Sequence, residues 1–379
     1  MFSNLPEMDI QNKERTAKKY SKTKQILSLA QSIGFFSAVI LILVTGFSKT
    51  LEKIAFDYFS NEYLALLLFV LFVFEGVSLI FFPLDFYSDY ILEHKYGLSN
   101  QTLGGYFLEK LKGILLGTAL GVPLLCAFYY ILKNFGDNWW LVLGIFLFIF
   151  SVVMGRLAPT VIMPLFYKFT PLENETVKER ILNLAKKAGV TINGIFAFNM
   201  SKNTKKANAA FTGMGKSKRI ILGDTLLESF NENEIETVFA HEMGHYTRKH
   251  ILKLTFVSTV LTFLGLFITA KMYSFTMGMF GFTLTYQLSA LPLLFLWLSL
   301  YSLITSPITN ILSRKFEWEA DTYALEITKD REAFISAMEK LADQNLAEKQ
   351  PNKIIEFLFH SHPSLEKRIE FARGYKFSS

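Results

Sequence analysis

The chain has 379 residues, of which 51% are hydrophobic, 15% aromatic and only 19% charged, with 38 phenylalanines. Soluble domains average about 25% charged residues, and here the apolar excess is gathered into long runs, which excludes an ordinary soluble enzyme. The net charge of +6 flanks those runs, pointing to a membrane rather than a nucleic acid, and the single cysteine, Cys126, excludes a disulfide framework.

The N-terminal tail carries Lys13, Arg15, Lys18, Lys19, Lys22 and Lys24 ahead of the first apolar run. A charged lead of this length, with no small-residue cleavage site after the run, is not expected to be a cleaved signal peptide. Runs free of Asp, Glu, Lys and Arg, long enough to cross a bilayer, then recur. They are Gln25–Ser48, Gly113–Leu132, Asn138–Gly155 (continuing past Arg156 to Tyr167) and Leu254–Ala270; Tyr63–Leu84 is broken only by Glu75. Met272–Ser313 is also free of charge and divides at Gly278–Gly281, leaving a last helix within about Tyr286–Leu312. The expectation is six spans. By the positive-inside rule the lysine-rich N-terminus is cytoplasmic. The C-terminus and the inserts Asp85–Lys112, Lys168–Lys253 and Arg314–Ser379 then share that side. The membrane would be the plasma (inner) membrane of a prokaryote or the endoplasmic reticulum of a eukaryote. Glu75 and Arg156 are intramembrane charges, which are usually functional.

The insert Lys168–Lys253 has the pattern of a folded unit. Glu175–Ala188 repeats apolar residues at a helical period, Ile195–Met200 is a strand candidate, and Ala207–Thr212 and Lys218–Leu222 flank Gly213–Lys216 as a β-hairpin or a wider strand-turn-strand. Asn231 is placed to cap a further helix, with Glu234 reaching back three residues later. That helix is expected to run on toward the fifth span. Arg314–Ser379 reads as helical, punctuated at His362-Pro363.

The capped helix contains His241-Glu242-Met243-Gly244-His245. Histidines four apart share a helical face and can offer two imidazole nitrogens to one Zn2+, with Glu242 beside them as a general base and Gly244 leaving room above the metal. The extended form HExxHxxGxxH is absent, because Arg248 and Ile251 occupy its last two positions; His250 is one position off and on the wrong face. A third ligand must come from elsewhere. Glu317 and Asp321 are an i, i+4 pair suited to ligand and orienting residue, with Glu319 as the rival ligand.

At these residues the chain resembles the type I CAAX prenyl protease family of integral-membrane zinc metallopeptidases. Arg314–Ala324 (RKFEWEADTYA) is similar to its third-ligand segment, and Phe86–Thr102 (FYSDYILEHKYGLSNQT) and Pro164–Leu172 (PLFYKFTPL) to stretches beside its membrane helices. Ala207–Phe211 resembles its substrate-binding strand, and His362-Pro363 with Arg368 its C-terminal histidine region; the likeness runs from about residue 10 to about residue 373. The resemblance implies that His241, His245 and Glu317 hold one zinc per chain, with Glu242, Asp321 and His362 catalytic. It implies that Asn208, His362 and Arg368 meet the substrate, and that the helices surround a water-filled chamber. Eukaryotic members have seven spans against the six counted here, which leaves open whether the substrate is prenylated.

The expected fold class is therefore mostly α: a polytopic membrane helical bundle with a cytosolic gluzincin-like zinc protease domain containing a small β-hairpin or sheet. Residues 1–167 would form a membrane region of four spans, and 168–379 the metallopeptidase domain with two further spans at about 252–275 and 286–312. Expected partners are a peptide or protein substrate, with or without a lipid, and membrane lipids; no nucleic acid and no second subunit are expected. Two other readings stay open: a quality-control zinc protease of the heat-shock type, and a metal-containing transporter or receptor without protease activity.

Overall fold

A computed structural model describes residues 10–212 and 219–377. Six of its helices are long and apolar enough to cross a membrane: Asn12–Val44, Glu62–Lys95, Leu103–Asn134, Gly136–Phe166, His250–Phe280 and Leu288–Thr328. Large apolar side chains such as Leu79, Ile80, Ile114, Phe256 and Ile304 are exposed along them. In water that would be costly; in lipid it is the expected outer surface of a bundle. The first helix starts at Ile10, so the basic tail is a helical extension of the first span. The second is interrupted by π-helical turns at Leu71–Glu75 and Tyr87–Ile91. Glu75 is exposed in the first of these, and Arg156 is exposed near the end of the fourth span.

The membrane core includes Leu66, Phe69, Tyr129, Leu132, Trp139, Leu143, Tyr273, Leu291 and Leu294, which lie toward one end of the bundle. Glycines let rings seat against helix backbones, Gly144 under Phe263 and Gly265 under Tyr301. Farther along the same helices an open cavity of about 550 Å³ is lined by Leu124, Phe128, Leu147 and Phe295. Ser258, Thr262, Ser302, Thr305, Ser306 and Thr309 also line it.

Outside the bundle, four short strands form a mixed sheet in the order β1-β2-β4-β3: β1 Phe169–Pro171, β2 Ile195–Phe198, β3 Ala209–Thr212 and β4 Arg219–Gly223. β1 and β3 run antiparallel to their neighbours, while β2 and β4 are parallel. β3 pairs with β4 as expected for a hairpin; its turn, Gly213 to Lys218, lies outside the described residues. β3 is an edge strand, with one side of its backbone unpaired in the sheet. Helix Glu175–Lys187 buries Val177, Ile181, Leu184 and Ala185 in a second core with Phe239, Met243, Phe334 and Ile369.

Two boundaries differ from the sequence expectation. The HExxH helix, Glu232–Thr247, does not run on into the fifth span, because Lys249 takes the left-handed conformation (φ 58°) and a new helix begins at His250. Conversely, Arg314 is no boundary. A single helix runs from Leu291 to Thr328, carrying the sixth span directly into the soluble core. Charged side chains at Arg314 and Lys315 change the composition without breaking the backbone.

Candidate metal centre

Local structure first holds the HExxH helix in place. The Asn231 side chain accepts from Glu234 N at 3.0 Å and Glu234 Oε2 accepts from Asn231 N at 2.7 Å, a closed capping box. Glu234 also accepts from Lys340 Nζ at 2.7 Å and Ser336 Oγ at 2.6 Å. Burial opposes its ionisation, but these bonds together hold its pKa below the usual carboxylate range. The helix then buries Ile235, Phe239, Ala240 and Met243. It crosses the long sixth helix at Gly244, where an added Cβ would lie 3.0 Å from Ala320 Cα and 3.2 Å from Ala320 O. The glycine's role is therefore close helix approach rather than room above a metal.

That approach brings Glu317 under both histidines. His241 Nε2 and His245 Nε2 are 3.1 Å apart. Glu317 Oε2 lies 3.3 Å from His241 Nε2, and Oε1 3.2 Å from His245 Nε2. Ligand atoms of the three residues all lie within 4.8 Å of one another. A tetrahedral cation with ligand distances near 2.0–2.1 Å would place its donors about 3.3 Å apart, close to this spacing. Glu317 is only 4% exposed and its Oε2 has no hydrogen-bond partner. A buried carboxylate oxygen without a partner is costly, so the donor set fits a cation. Glu319 faces elsewhere, its Oε2 3.0 Å from His250 Nε2.

Behind the triad, Asp321 is fully buried, with Oδ1 2.8 Å from His241 Nδ1. It also accepts from Arg368 Nε at 2.8 Å and Nη2 at 2.5 Å. Burial disfavours a charged His241, but the Asp321 and Glu317 carboxylates beside it outweigh this and, without a cation, raise its pKa to about 9. Arg368, expected at the substrate, is 6% exposed and its guanidinium is occupied by Asp321, with Glu317 3.6 Å from Nη1. It is a brace under the site.

The opposite side is open. Glu242 is half-buried, and among the described residues none donates a hydrogen bond to its carboxylate. His362 is exposed, with Nε2 3.3 Å from Glu317 Oε1 and Nδ1 2.9 Å from Ser361 Oγ. Asn208 is exposed at the start of β3. Gly223 N donates to its carbonyl at 2.9 Å, and farther along β3 the Phe211 ring packs on Tyr246 of the HExxH helix at 5.0 Å. The structure thus brings together His241, Glu242, His245, Glu317, Asp321, His362 and Arg368, with Asn208 on the neighbouring sheet edge. Sequence reasoning missed His250. It is 1% exposed, with Nδ1 3.0 Å from His245 Nδ1. The signal lay in the kink at Lys249, which no residue type there announces.

Comparison with known proteins covers nearly the whole chain. The profile of peptidase family M48 matches residues 171–376, and that of the CAAX prenyl protease N-terminal region, five membrane helices, matches residues 7–168. The metalloprotease YhfN of Bacillus subtilis is 31% identical over 94% of this chain and 84% of its own length. CAAX prenyl protease 1 of Saccharomyces cerevisiae is 31% identical over 77% of this chain and 68% of its own length. The crystal structure of S. mikatae Ste24p superposes with a TM-score of 0.86 at 27% identity, covering 98% of this chain and 91% of that one.

Proposed function

The chain belongs to peptidase family M48, and on that footing we propose that it is a zinc endopeptidase cutting peptides of the CAAX type at the cytoplasmic face of its membrane. It is an integral-membrane metalloendopeptidase with peptide or protein substrates. The observation that carries the zinc reading is the convergence of His241, His245 and Glu317 within 4.8 Å, with a buried carboxylate oxygen among them that accepts no hydrogen bond.

In this reading those three residues hold Zn2+, which supplies Lewis acidity toward the scissile carbonyl and toward water. Glu242, with its free carboxylate, takes the proton of the attacking water and delivers it to the leaving amine. Asp321 fixes the ring of His241 and is itself held by Arg368, so Arg368 serves the substrate only indirectly. His362, on the open side, donates to the oxyanion that develops as the carbonyl is attacked. Asn208 and the edge of β3 hold the peptide backbone, as an unpaired sheet edge can. Residues 1–167 are then an N-terminal membrane region of four spans and 168–379 the peptidase domain with the two further spans, working as a monomer among lipids. The matches to named CAAX prenyl proteases favour that substrate class over misfolded membrane proteins.

The test is hydrolysis by protein purified in detergent. A farnesylated CAAX peptide should be cut before its last three residues, by the wild type and not by Glu242→Gln. Cutting of unfolded membrane proteins but not this peptide would overturn the substrate class. Sidedness is read separately: a cysteine replacing exposed Lys186, in a Cys126→Ser background, should resist an impermeant thiol reagent until the membrane is opened.

A further inference from the structure

His250 opens the fifth membrane helix, five residues beyond His245. On an unbroken helix it would lie about 140° around the axis from His245. The left-handed Lys249, φ 58°, breaks that geometry and turns the His250 ring back toward the site. A non-glycine residue in this region is strained and persists only where its surroundings require it. The ring is fixed on three sides. Its face stacks on Phe316 at 4.2 Å and 5°, its Nδ1 is 3.0 Å from His245 Nδ1, and its Nε2 is 3.0 Å from Glu319 Oε2.

Only one proton arrangement of neutral imidazoles satisfies all of these contacts. Glu319, a carboxylate, accepts, so His250 Nε2–H donates and His250 Nδ1 carries a lone pair. That lone pair can take a hydrogen bond only from Nδ1–H of His245. His245 is then left with its Nε2 lone pair facing His241 Nε2 and Glu317. We propose that His250, backed by Glu319, is the positioning residue that fixes the tautomer and the ring orientation of His245 for metal binding. The proposal rests on the reading of His245 as a ligand. It also gives the two histidines different supports: His241 leans on the Asp321 carboxylate, His245 on a neutral imidazole. Because His250 begins the fifth span and Glu319 lies on the sixth helix, this support comes from both membrane helices that enter the site.

The test uses the full-length protein in detergent. Metal affinity is measured by competition with chelators of graded strength, and ligand geometry by the visible spectrum of the Co2+-loaded protein. His250→Phe keeps an aromatic face for Phe316 and removes both hydrogen bonds. Its metal affinity should fall 10–100-fold, the range found for outer-sphere partners of ligating histidines, with an altered Co2+ spectrum and a lower kcat at similar KM. His250→Gln, whose amide can accept from His245 and donate to Glu319, should recover most of the affinity. Glu319→Ala, at a partly exposed position, should lose several-fold, and this variant decides the matter if His250→Phe does not fold. Wild-type affinity and spectrum in His250→Phe, or in Glu319→Ala where only that variant folds, would overturn the proposal and leave the ligand reading standing. Undiminished metal binding in a His245→Ala control would overturn the ligand reading itself.

Discussion

Replacing Gly244 by alanine tests whether the helix crossing sets the metal geometry. The added Cβ would meet Ala320 Cα at 3.0 Å, Ala320 O at 3.2 Å and Tyr323 Cβ at 3.2 Å, where carbon contacts are comfortable at about 3.5–4.0 Å. Two of the three are backbone atoms, so no rotamer change relieves them and the helices must part by roughly 0.5 Å. Overpacking of this kind costs about 1–3 kcal/mol, against which alanine's helix preference returns about 1 kcal/mol. The net loss of stability should therefore be about 0–2 kcal/mol. The metal site is less tolerant. Ala320 sits between Glu317 and Asp321 in sequence, so a shift there carries both residues, and ligand distances hold only within about 0.2 Å. Metal affinity should fall by about 10–100-fold while the melting temperature without metal falls by only a few degrees. Chelator competition and metal analysis after gel filtration measure the first, and a thermal scan the second. Native metal affinity in Gly244→Ala would refute the claim that this crossing sets the ligand positions.

Glu317→Ala should lose bound metal, while Glu319→Ala should stay metal-loaded at stoichiometric metal; equal metal content in the two variants would reverse the ligand assignment. Glu242→Gln keeps the three ligands and removes the base, so it should bind metal normally and lose at least the ~10²–10⁴-fold contribution of a positioned base, measured as kcat on a fluorogenic peptide. Metal uptake should depend on pH through His241, whose pKa without a cation is raised to about 9. Below that value a binding cation displaces one proton from this ring, so apparent affinity should fall tenfold for each pH unit and level off above about 9. The sign for stability is the reverse. A raised pKa means that protonated His241 stabilises the metal-free fold fully below its ordinary 6.5, and that contribution fades as pH rises through about 9. A metal affinity flat between pH 6 and 8, followed by Co2+ absorbance under chelator competition, would contradict the proton displacement.

The spans were legible because bilayer solvation demands long uncharged runs, and six such runs became six helices. His241 and His245 were legible because a helix turns helical spacing directly into a shared face. Glu317 could be singled out through its partner Asp321, one turn on, and through the resemblance of Arg314–Ala324 to a third-ligand segment. What escaped depended on backbone events that side-chain types do not announce. β1, three residues ending in Pro171, is too short to show alternation. Lys249 adopts a conformation that lysine seldom takes, and so hid His250. Arg368 was placed at the substrate by resemblance, yet tertiary packing folds it against Asp321.

The unbroken sixth helix also acts as a depth gauge. From Leu291 to Glu317 it advances about 39 Å at 1.5 Å per residue, against a hydrocarbon layer of about 30 Å. Standing upright with its first turn at the far boundary of that layer, the helix would carry Glu317 roughly 9 Å past the near boundary, among the lipid headgroups. A bond cut at that level can belong to a chain whose greasy anchor never leaves the bilayer, provided about three extended residues separate the two. Lengthening that spacer beyond what the headgroup layer can hold would let the bond drift out of register. A series of anchored peptides differing only in spacer length would trace the depth of the metal directly.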